Sequence, residues 1–379
     1  MTYRPRMARP ARLGAAITLA VALASLVPAL SARAVPRYSA RYEQNCALCH
    51  VNPTGGGMRS AYAVQKLIPM ELAFSPMKPE LMKEIDPRIG KVLSIGTDFR
   101  QFLLLESENS PLAQQQGFFP MQGDVYLSFQ LDPRFLLYYD RSFSNTYEAF
   151  GLANVLPWDG YVKVGKFVPP YGWKFDDHTM FARDNEGFAP PADVDAGVEV
   201  GMARDPIDVQ VALVNGNRGS DLDNDRRLAV SGNASSRFRL GPVVGSLGVA
   251  GYTQPGISVD INNAGVFGYL SAWNVTWVAQ NDWTRRQPAG GAAVNGLVSS
   301  QELTVLLRRG IELKSTYDFY DPDKSLKSGS KDRWGAGFDF MPRSFIVLEA
   351  MYRKTHIESG PALPDNGYDE GLFQLHLLY

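Results

Sequence analysis

The sequence predicts an all-β chain: an antiparallel β-barrel of about sixteen strands preceded by a small α-helical segment. Three observations predict it. From Leu93 onward, short runs rich in Val, Tyr, Phe, Trp and Thr are separated by clusters of Gly, Asn, Asp and Pro, which is the texture of strands and turns. In the run Val125-Tyr126-Leu127-Ser128-Phe129-Gln130-Leu131, apolar residues hold one parity and mostly polar ones the other, as a wall with a lipid side and a watery side requires. The breaks between runs alternate between tight and long; seven tight and eight long breaks separate sixteen strands.

Composition bounds the function. The chain has 379 residues, with 38 Lys and Arg against 39 Asp and Glu and a net charge of −1, which excludes a strongly basic nucleic-acid binder. After Leu30 no apolar run approaches the roughly 18–20 residues of a membrane-spanning helix. No Ser-His-Asp arrangement, phosphate loop or paired-carboxylate motif stands out, which argues against a hydrolase.

Residues 1–34 read as an export signal. Arg4, Arg6, Arg9 and Arg12 precede the apolar run from Leu13 to Leu30, and Ala32-Arg33-Ala34 places small residues at the cleavage offset. Pro28 interrupts the run, which disfavours a retained anchor. The mature chain would start near Val35. Losing those four arginines and Arg33 leaves 33 basic against 39 acidic residues, a charge of −6.

Residues 35–90 carry the strongest local signal. The two cysteines of the chain fall in Cys46-Ala47-Leu48-Cys49-His50. C-x-x-C-H is the attachment sequence of c-type haem: two thiols form thioethers with the porphyrin vinyl groups and the adjacent His reaches the iron. Cys46 and Cys49 are the expected attachment points of one covalent haem c, and His50 its proximal iron ligand. A C-x-x-C disulfide would open a helix in a βαβ context, and a zinc site would need two further ligands nearby. No such context surrounds the motif, and His178, His356 and His376 lie more than a hundred residues away.

For the distal face the candidate is Met77. It sits in Ser75-Pro76-Met77-Lys78-Pro79, whose flanking prolines resemble the stiff methionine loops of small bacterial cytochromes c. Met58, Met70 and Met82 are further candidates, and the ordinary role of each is to fill apolar gaps. Asn52 to Gly57 is a turn by composition, and Met58 to Leu67 has helical character with apolar residues at Ala61, Val64, Leu67 and Ile68. A haem-bearing domain of this length needs a cofactor or a partner surface to be stable. Covalent haem would supply that, and so would a barrel lumen.

Residues 91–379 form the expected barrel. Tight turns are expected at Asp132-Pro133, Pro157-Trp158-Asp159, Arg204-Asp205-Pro206, Gly241-Pro242, Trp273-Asn274, Arg309-Gly310 and Met341-Pro342. Long connections are expected near 107–121, 144–146, 169–192, 215–226, 254–264, 285–297, 321–331 and 355–369. Both chain ends then lie on the short-turn side, which is periplasmic in bacterial outer-membrane barrels. Trp158, Tyr161, Trp173, Trp283 and Trp334 fall at expected strand ends, as interfacial girdles do. The final run from Gly371 to Tyr379 alternates and ends on an aromatic, and it resembles the terminal strand by which outer-membrane barrels are recognised for assembly.

Two resemblances extend this reading. The stretch from Gly160 to Trp173, with Val164-Gly165-Lys166-Phe167 and Pro169-Pro170, is similar to the corresponding stretch of the phosphate-selective porin O/P family. That family's logic implies an inward-folding loop over 169–192 and an anion-favouring, lumen-facing Lys163. The order of signal, single C-x-x-C-H and porin-like barrel, with Pro36 to Tyr42 ahead of the motif, resembles the fused outer-membrane cytochrome-porins, of which the best known are ferrous iron oxidases. The resemblance implies an outer-membrane electron conduit, an oxidoreductase passing electrons from an extracellular donor such as ferrous iron to periplasmic cytochromes or other carriers.

One haem cannot form a relay across a hydrocarbon core of about 30 Å. The haem is therefore expected within the lumen, or a redox partner must enter. The rival readings are an anion-selective diffusion porin and the barrel sheath of a multi-cytochrome complex. Two acidic clusters suit hard cations, Asp176, Asp177, Asp184 and Glu186 in one loop and Asp221, Asp223 and Asp225 in another; solvated loop acids are the ordinary reading. His178 would be a second iron ligand only if its loop reaches deep into the lumen.

Overall fold

Apolar residues on alternate positions face outward and polar ones inward, so the chain closes around a polar lumen. The computed structural model describes residues 36–82, 84–107, 116–143, 146–184, 193–218, 223, 225–359 and 366–379. The expected export signal and the loop acids Glu186 and Asp221 lie outside these residues.

A two-residue strand, Arg88–Ile89, adds to the sheet beside Leu93 and Ser94, and sixteen antiparallel strands close into a barrel. They are β1 (Leu93–Glu106), β2 (Gln116–Asp132), β3 (Phe135–Ser142), β4 (Tyr147–Leu156), β5 (Gly160–Phe167), β6 (Asp195–Arg204), β7 (Ile207–Val214), β8 (Ala229–Leu240), β9 (Val243–Gln254), β10 (Val259–Ala272), β11 (Val275–Pro288), β12 (Val294–Arg308), β13 (Ile311–Asp321), β14 (Lys331–Arg343), β15 (Ile346–Ile357) and β16 (Asn366–Leu378). Each pairs with its sequence neighbour, and β16 closes on β1 from Glu370 opposite Glu106 to Leu378 opposite Asp98. Closure leaves no unpaired edge, which a strand wall in lipid requires.

Inward and outward faces alternate along the strands, with some apolar residues such as Leu136 also turned inward. Along β3, Leu136, Tyr138, Asp140 and Ser142 are buried while Phe135, Leu137, Tyr139 and Arg141 are exposed. Along β16, Phe373, Leu375 and Leu377 face out while Gln374 and His376 face in. Outward Trp158, Trp273, Trp283 and Trp334 suit the interfaces of a bilayer. Tyr161 and Trp173 do not belong with them. Tyr161 is 1% exposed and donates to Glu199 Oε1 at 2.6 Å, and Trp173 lies on a loop inside the lumen, donating to the Gly268 carbonyl at 3.2 Å.

Seven tight turns and eight longer connections join the strands, and six of the turns fall where expected. The turn expected at Met341-Pro342 falls at Ser344-Phe345 instead. Pro342 lies in β14, where the register slips between Phe340 and Arg343; such a bulge tolerates a residue that cannot donate to the ladder.

The residues before the barrel are inside it. Helix α1 (Pro36–Tyr42) packs on the inner face of β9, β10 and β11. A single 3-10 turn (Cys46–Leu48) and a π-helix (Ala63–Leu72) follow. The expected helix over Met58 to Leu67 is thus displaced, because Met58, Arg59 and Ser60 pair back onto the motif: Val51 N–H donates to Met58, Ser60 N–H to Cys49, and His50 bridges Arg59. Ser60 Oγ accepts from Ala63 N–H at 3.2 Å, as a residue ahead of a helix does. Pro69, which has no N–H to give, sits within the widened turns of the π-helix.

This segment closes the short-turn mouth. Leu67, Ile68, Leu72 and Ala73 pack against Met341 and Leu378, Phe74 N–H donates to Met341 at 2.8 Å, and Asn45 Nδ2 donates to the Ala203 carbonyl at 2.9 Å. Its core is therefore shared with the barrel wall. Buried ion pairs fasten it: Arg37 reaches Glu302 at 3.3 Å, Glu312 at 2.8 Å and Asp339 at 2.6 Å, and Arg41 pairs with Glu312.

Candidate functional site

The C-x-x-C-H motif is presented into the lumen on one tight turn. Leu48 N–H donates to Asn45, and both Cys49 and His50 N–H donate to the Cys46 carbonyl, at 3.1 and 3.0 Å. Cys46 and Cys49 are free thiols, half-buried. The chain then turns through Asn52 to Gly57 and returns beside the motif.

Three consecutive glycines make that return possible. Gly55, Gly56 and Gly57 have φ of 79°, 76° and 63°, a left-handed run that side chains disfavour. A β-carbon on Gly55 would press on Cys46 Sγ at 3.3 Å, and one on Gly57 would overlap Tyr138 Oη. The turn is held from two sides. Tyr138 Oη accepts from Met58 N–H at 3.1 Å, Lys163 Nζ donates to Asn52 Oδ1 at 3.4 Å, and Lys174 Nζ donates to the Gly55 carbonyl at 2.8 Å and Thr54 Oγ1 at 3.3 Å.

Lys174 belongs to the connection between β5 and β6, which folds into the lumen as expected. Phe175, Met180, Phe181 and Ala182 are buried in a cluster with Tyr269, Val278 and Val298 of the wall. A short helix α2 (Phe181–Asp184) is fixed by Phe181 N–H to Asp318 at 3.1 Å and Ala182 N–H to Ser300 at 2.9 Å. The N-terminal segment and this loop meet, so the lumen is obstructed from both directions.

Between them lie two cavities, of about 110 and 170 Å³, that share Tyr38, Cys49, His50, Gly56 and Lys174. Together they approach the lower end of the roughly 300–1,000 Å³ range for small-molecule and cofactor sites. The smaller is lined by Cys46, Trp173, Arg237 and Tyr269, the larger by Leu67, Arg100, His178, Arg183 and His376. A larger concavity of about 790 Å³ lies near Tyr252, Asn263 and Trp283 and includes no motif residue.

Burial governs the protonation states here. It pushes the Cys46 and Cys49 thiols up to about 11 and pulls the His50 imidazole down to about 4, helped by Arg59 and Lys174. His50 is thus neutral at pH 7, and its buried Nδ1 has no hydrogen-bond partner of good geometry, although the Gly56 and Gly57 carbonyls lie near enough to favour its protonated form. These features fit a covalent haem: paired free thiols, a neutral imidazole, a glycine cradle and flanking cavities. Among the described residues no group of three or more His, Cys, Asp or Glu is placed to hold a metal ion, so Cys46 and Cys49 gain no partners for a zinc site.

The structure places Cys49 and His50 on one cavity with His178, and Cys46 on the adjoining one, but does not bring Met77 to either. Met77 lines neither cavity, and its N–H is bonded to Pro69. Met58 is buried against the wall beside Tyr126, and Met70 is exposed. Two acids of the inward loop are spent in ion pairs, Asp176 with Arg100 at 2.9 Å and Asp177 with Arg353, while Asp184 is exposed. Asp223 and Asp225 accept from backbone N–H groups two residues on, an ordinary turn arrangement. Lys174 and Arg183 were missed by sequence reasoning; the length of their loop was the one signal.

No family model matches the chain, and no curated protein matches it in sequence. Solved structures do. An anion-selective porin from Comamonas acidovorans superposes with a TM-score of 0.58 at 9% identity, covering 76% of this chain and 99% of that one. OmpT of Vibrio cholerae gives 0.57 at 10% identity, covering 78% and 100%, and OprB of Pseudomonas putida gives 0.56 at 8% identity, covering 76% and 94%. At these identities the likeness is one of fold, and the fold is the sixteen-stranded barrel of outer-membrane porins.

Proposed function

We propose that this chain is an outer-membrane electron conduit, an oxidoreductase that takes electrons from an extracellular donor such as ferrous iron and delivers them to periplasmic cytochromes or other carriers. One observation carries the reading: a C-x-x-C-H motif lies inside a membrane-type barrel, between a segment that closes one mouth and a loop that descends from the other. Haem c, when bound, supplies one-electron redox chemistry.

The remaining work falls to the chain. Cys46 and Cys49 are the covalent attachment points and His50 the proximal ligand. The Asn52 to Gly57 turn positions them against Tyr138 and Lys174, and the two obstructions keep bulk water and solutes from passing. This arrangement speaks against a diffusion porin. Lys163, the expected anion-favouring charge, is fully buried and neutralised by Glu199 at 2.7 Å. It speaks equally against a sheath, because the lumen is filled by the chain's own residues.

The test is a pyridine haemochrome spectrum on outer membranes from cells with cytochrome-maturation machinery, beside a Cys46→Ala, Cys49→Ala variant. One c-type haem per chain that vanishes in the variant is expected. Proteoliposomes loaded with an oxidised carrier should then show reduction by an external donor only with the wild type. Absence of haem from the wild type would overturn the reading.

A further inference from the structure

A buried guanidinium lines the larger cavity, and two of the acids near it, Asp176 and Asp177, already pair with Arg100 and Arg353. Arg183 is 3% exposed and lines this cavity. Its NH1 donates to the Phe175 carbonyl and its buried Nε has no hydrogen-bond partner. The neighbouring guanidinium groups are satisfied: Arg59 pairs with Asp98, and Arg100 with Asp98 and Asp176. A buried guanidinium with an unsatisfied Nε has a donor left to offer, and a planar carboxylate is its natural partner.

His178 is five residues earlier on the same inward loop and lines the same cavity as His50. It makes no hydrogen bond among the described residues, unlike His376, which lies 2.8 Å from Asp98. His50 reaches the cavity from the segment that closes the short-turn mouth, and His178 from the loop that closes the lumen from the other side. The cavity they share is lined by Leu67, Leu72 and Leu378 as well as by the paired charges Arg59, Asp98 and Arg100.

We propose that the inward loop supplies the second half of the cofactor site, with His178 as the distal axial ligand of the iron and Arg183 as the anchor of a haem propionate. This rests on the haem reading above. It also gives the β5–β6 loop a purpose beyond narrowing the lumen: it joins the site to the long-loop side of the barrel.

The test uses the full chain, matured with haem and purified in detergent, in wild-type, His178→Ala, His178→Met, Arg183→Gln and Arg183→Lys forms. Haem content, the electron paramagnetic resonance spectrum of the ferric form and the midpoint potential are measured for each. The wild type should be low-spin. His178→Ala should keep one haem per chain, lose the low-spin signal and recover it when imidazole is added. His178→Met should stay six-coordinate with a raised potential. Arg183→Gln should shift the potential downward, and Arg183→Lys should restore most of the shift.

An unchanged low-spin spectrum in haem-loaded His178→Ala overturns the ligation, and an unchanged potential in Arg183→Gln overturns the anchor. Haem missing from the wild type itself would strike the underlying reading and this one with it. Haem present at one per chain with either variant result above would strike this one alone.

Discussion

Lys163 Nζ lies 2.7 Å from Glu199 Oε2, and neither side chain has any exposure to solvent. The Lys163 ammonium also sits 4.4 Å above the Phe167 ring, and Glu199 accepts a second bond from Tyr161. Removing one member of a buried pair leaves the other charge unpaired, at a cost of about 3–5 kcal/mol. Glu199→Gln should therefore lower stability by that order. Exchanging both for apolar residues, as Lys163→Met with Glu199→Leu, should cost far less. Denaturant unfolding in detergent micelles measures both, and equal losses in the single and double variants would refute the pairing.

Arg37 meets three carboxylates, from β12, β13 and β14. Replacing Arg37 and Arg41 by Ala should release the segment that closes the short-turn mouth. Single-channel conductance in planar bilayers should be near zero for the wild type and rise several-fold in the double variant. A wild type that conducts like an open porin would contradict the obstruction described here.

Gly57 has a positive φ and faces Tyr138 Oη across a gap too small for a methyl group. Gly57→Ala should destabilise by about 1–3 kcal/mol and reduce haem attachment. Tyr138→Phe removes the obstructing hydroxyl, so the double variant should recover part of the loss. A double-mutant cycle with no coupling would show that the strain is of the backbone alone.

Burial draws the Lys174 ammonium down to about 8 from its ordinary 10.5. Between those values the unfolded chain binds the proton and the folded chain does not, so this group makes stability rise as pH climbs from 8 to 10.5. The gain is roughly 1–3 kcal/mol after allowance for screening. Comparing wild type with Lys174→Gln at pH 7.5, 9 and 10.5 isolates it. A difference in stability that does not change with pH would rule it out.

Much of the barrel is legible because its rules are local. A wall between lipid and water imposes alternation by parity, and burial alternates strictly from Phe135 to Ser142 even though Leu136 faces in and Arg141 out. Strand ends were harder to read. Asn262-Asn263 and Arg285-Arg286 were assigned to loops yet lie in β10 and β11. Toward the long-loop end the strands carry polar residues that imitate connections. Pro342 misled for the opposite reason, since a bulge accommodates a residue that ordinarily ends a strand.

By itself the sequence determined the strand number, the alternation of short and long connections, and the presence of Cys46, Cys49 and His50 on one turn, because each depends on neighbours within a few residues. Only the tertiary structure decided that the motif lies inside the barrel and that Lys163 is neutralised. It alone decided that His178 and Arg183, more than a hundred residues further along, share a cavity with His50 while Met77 does not. Those juxtapositions arise from barrel closure and from the inward course of one loop, and no local pattern encodes which distant side chains a closed wall brings face to face.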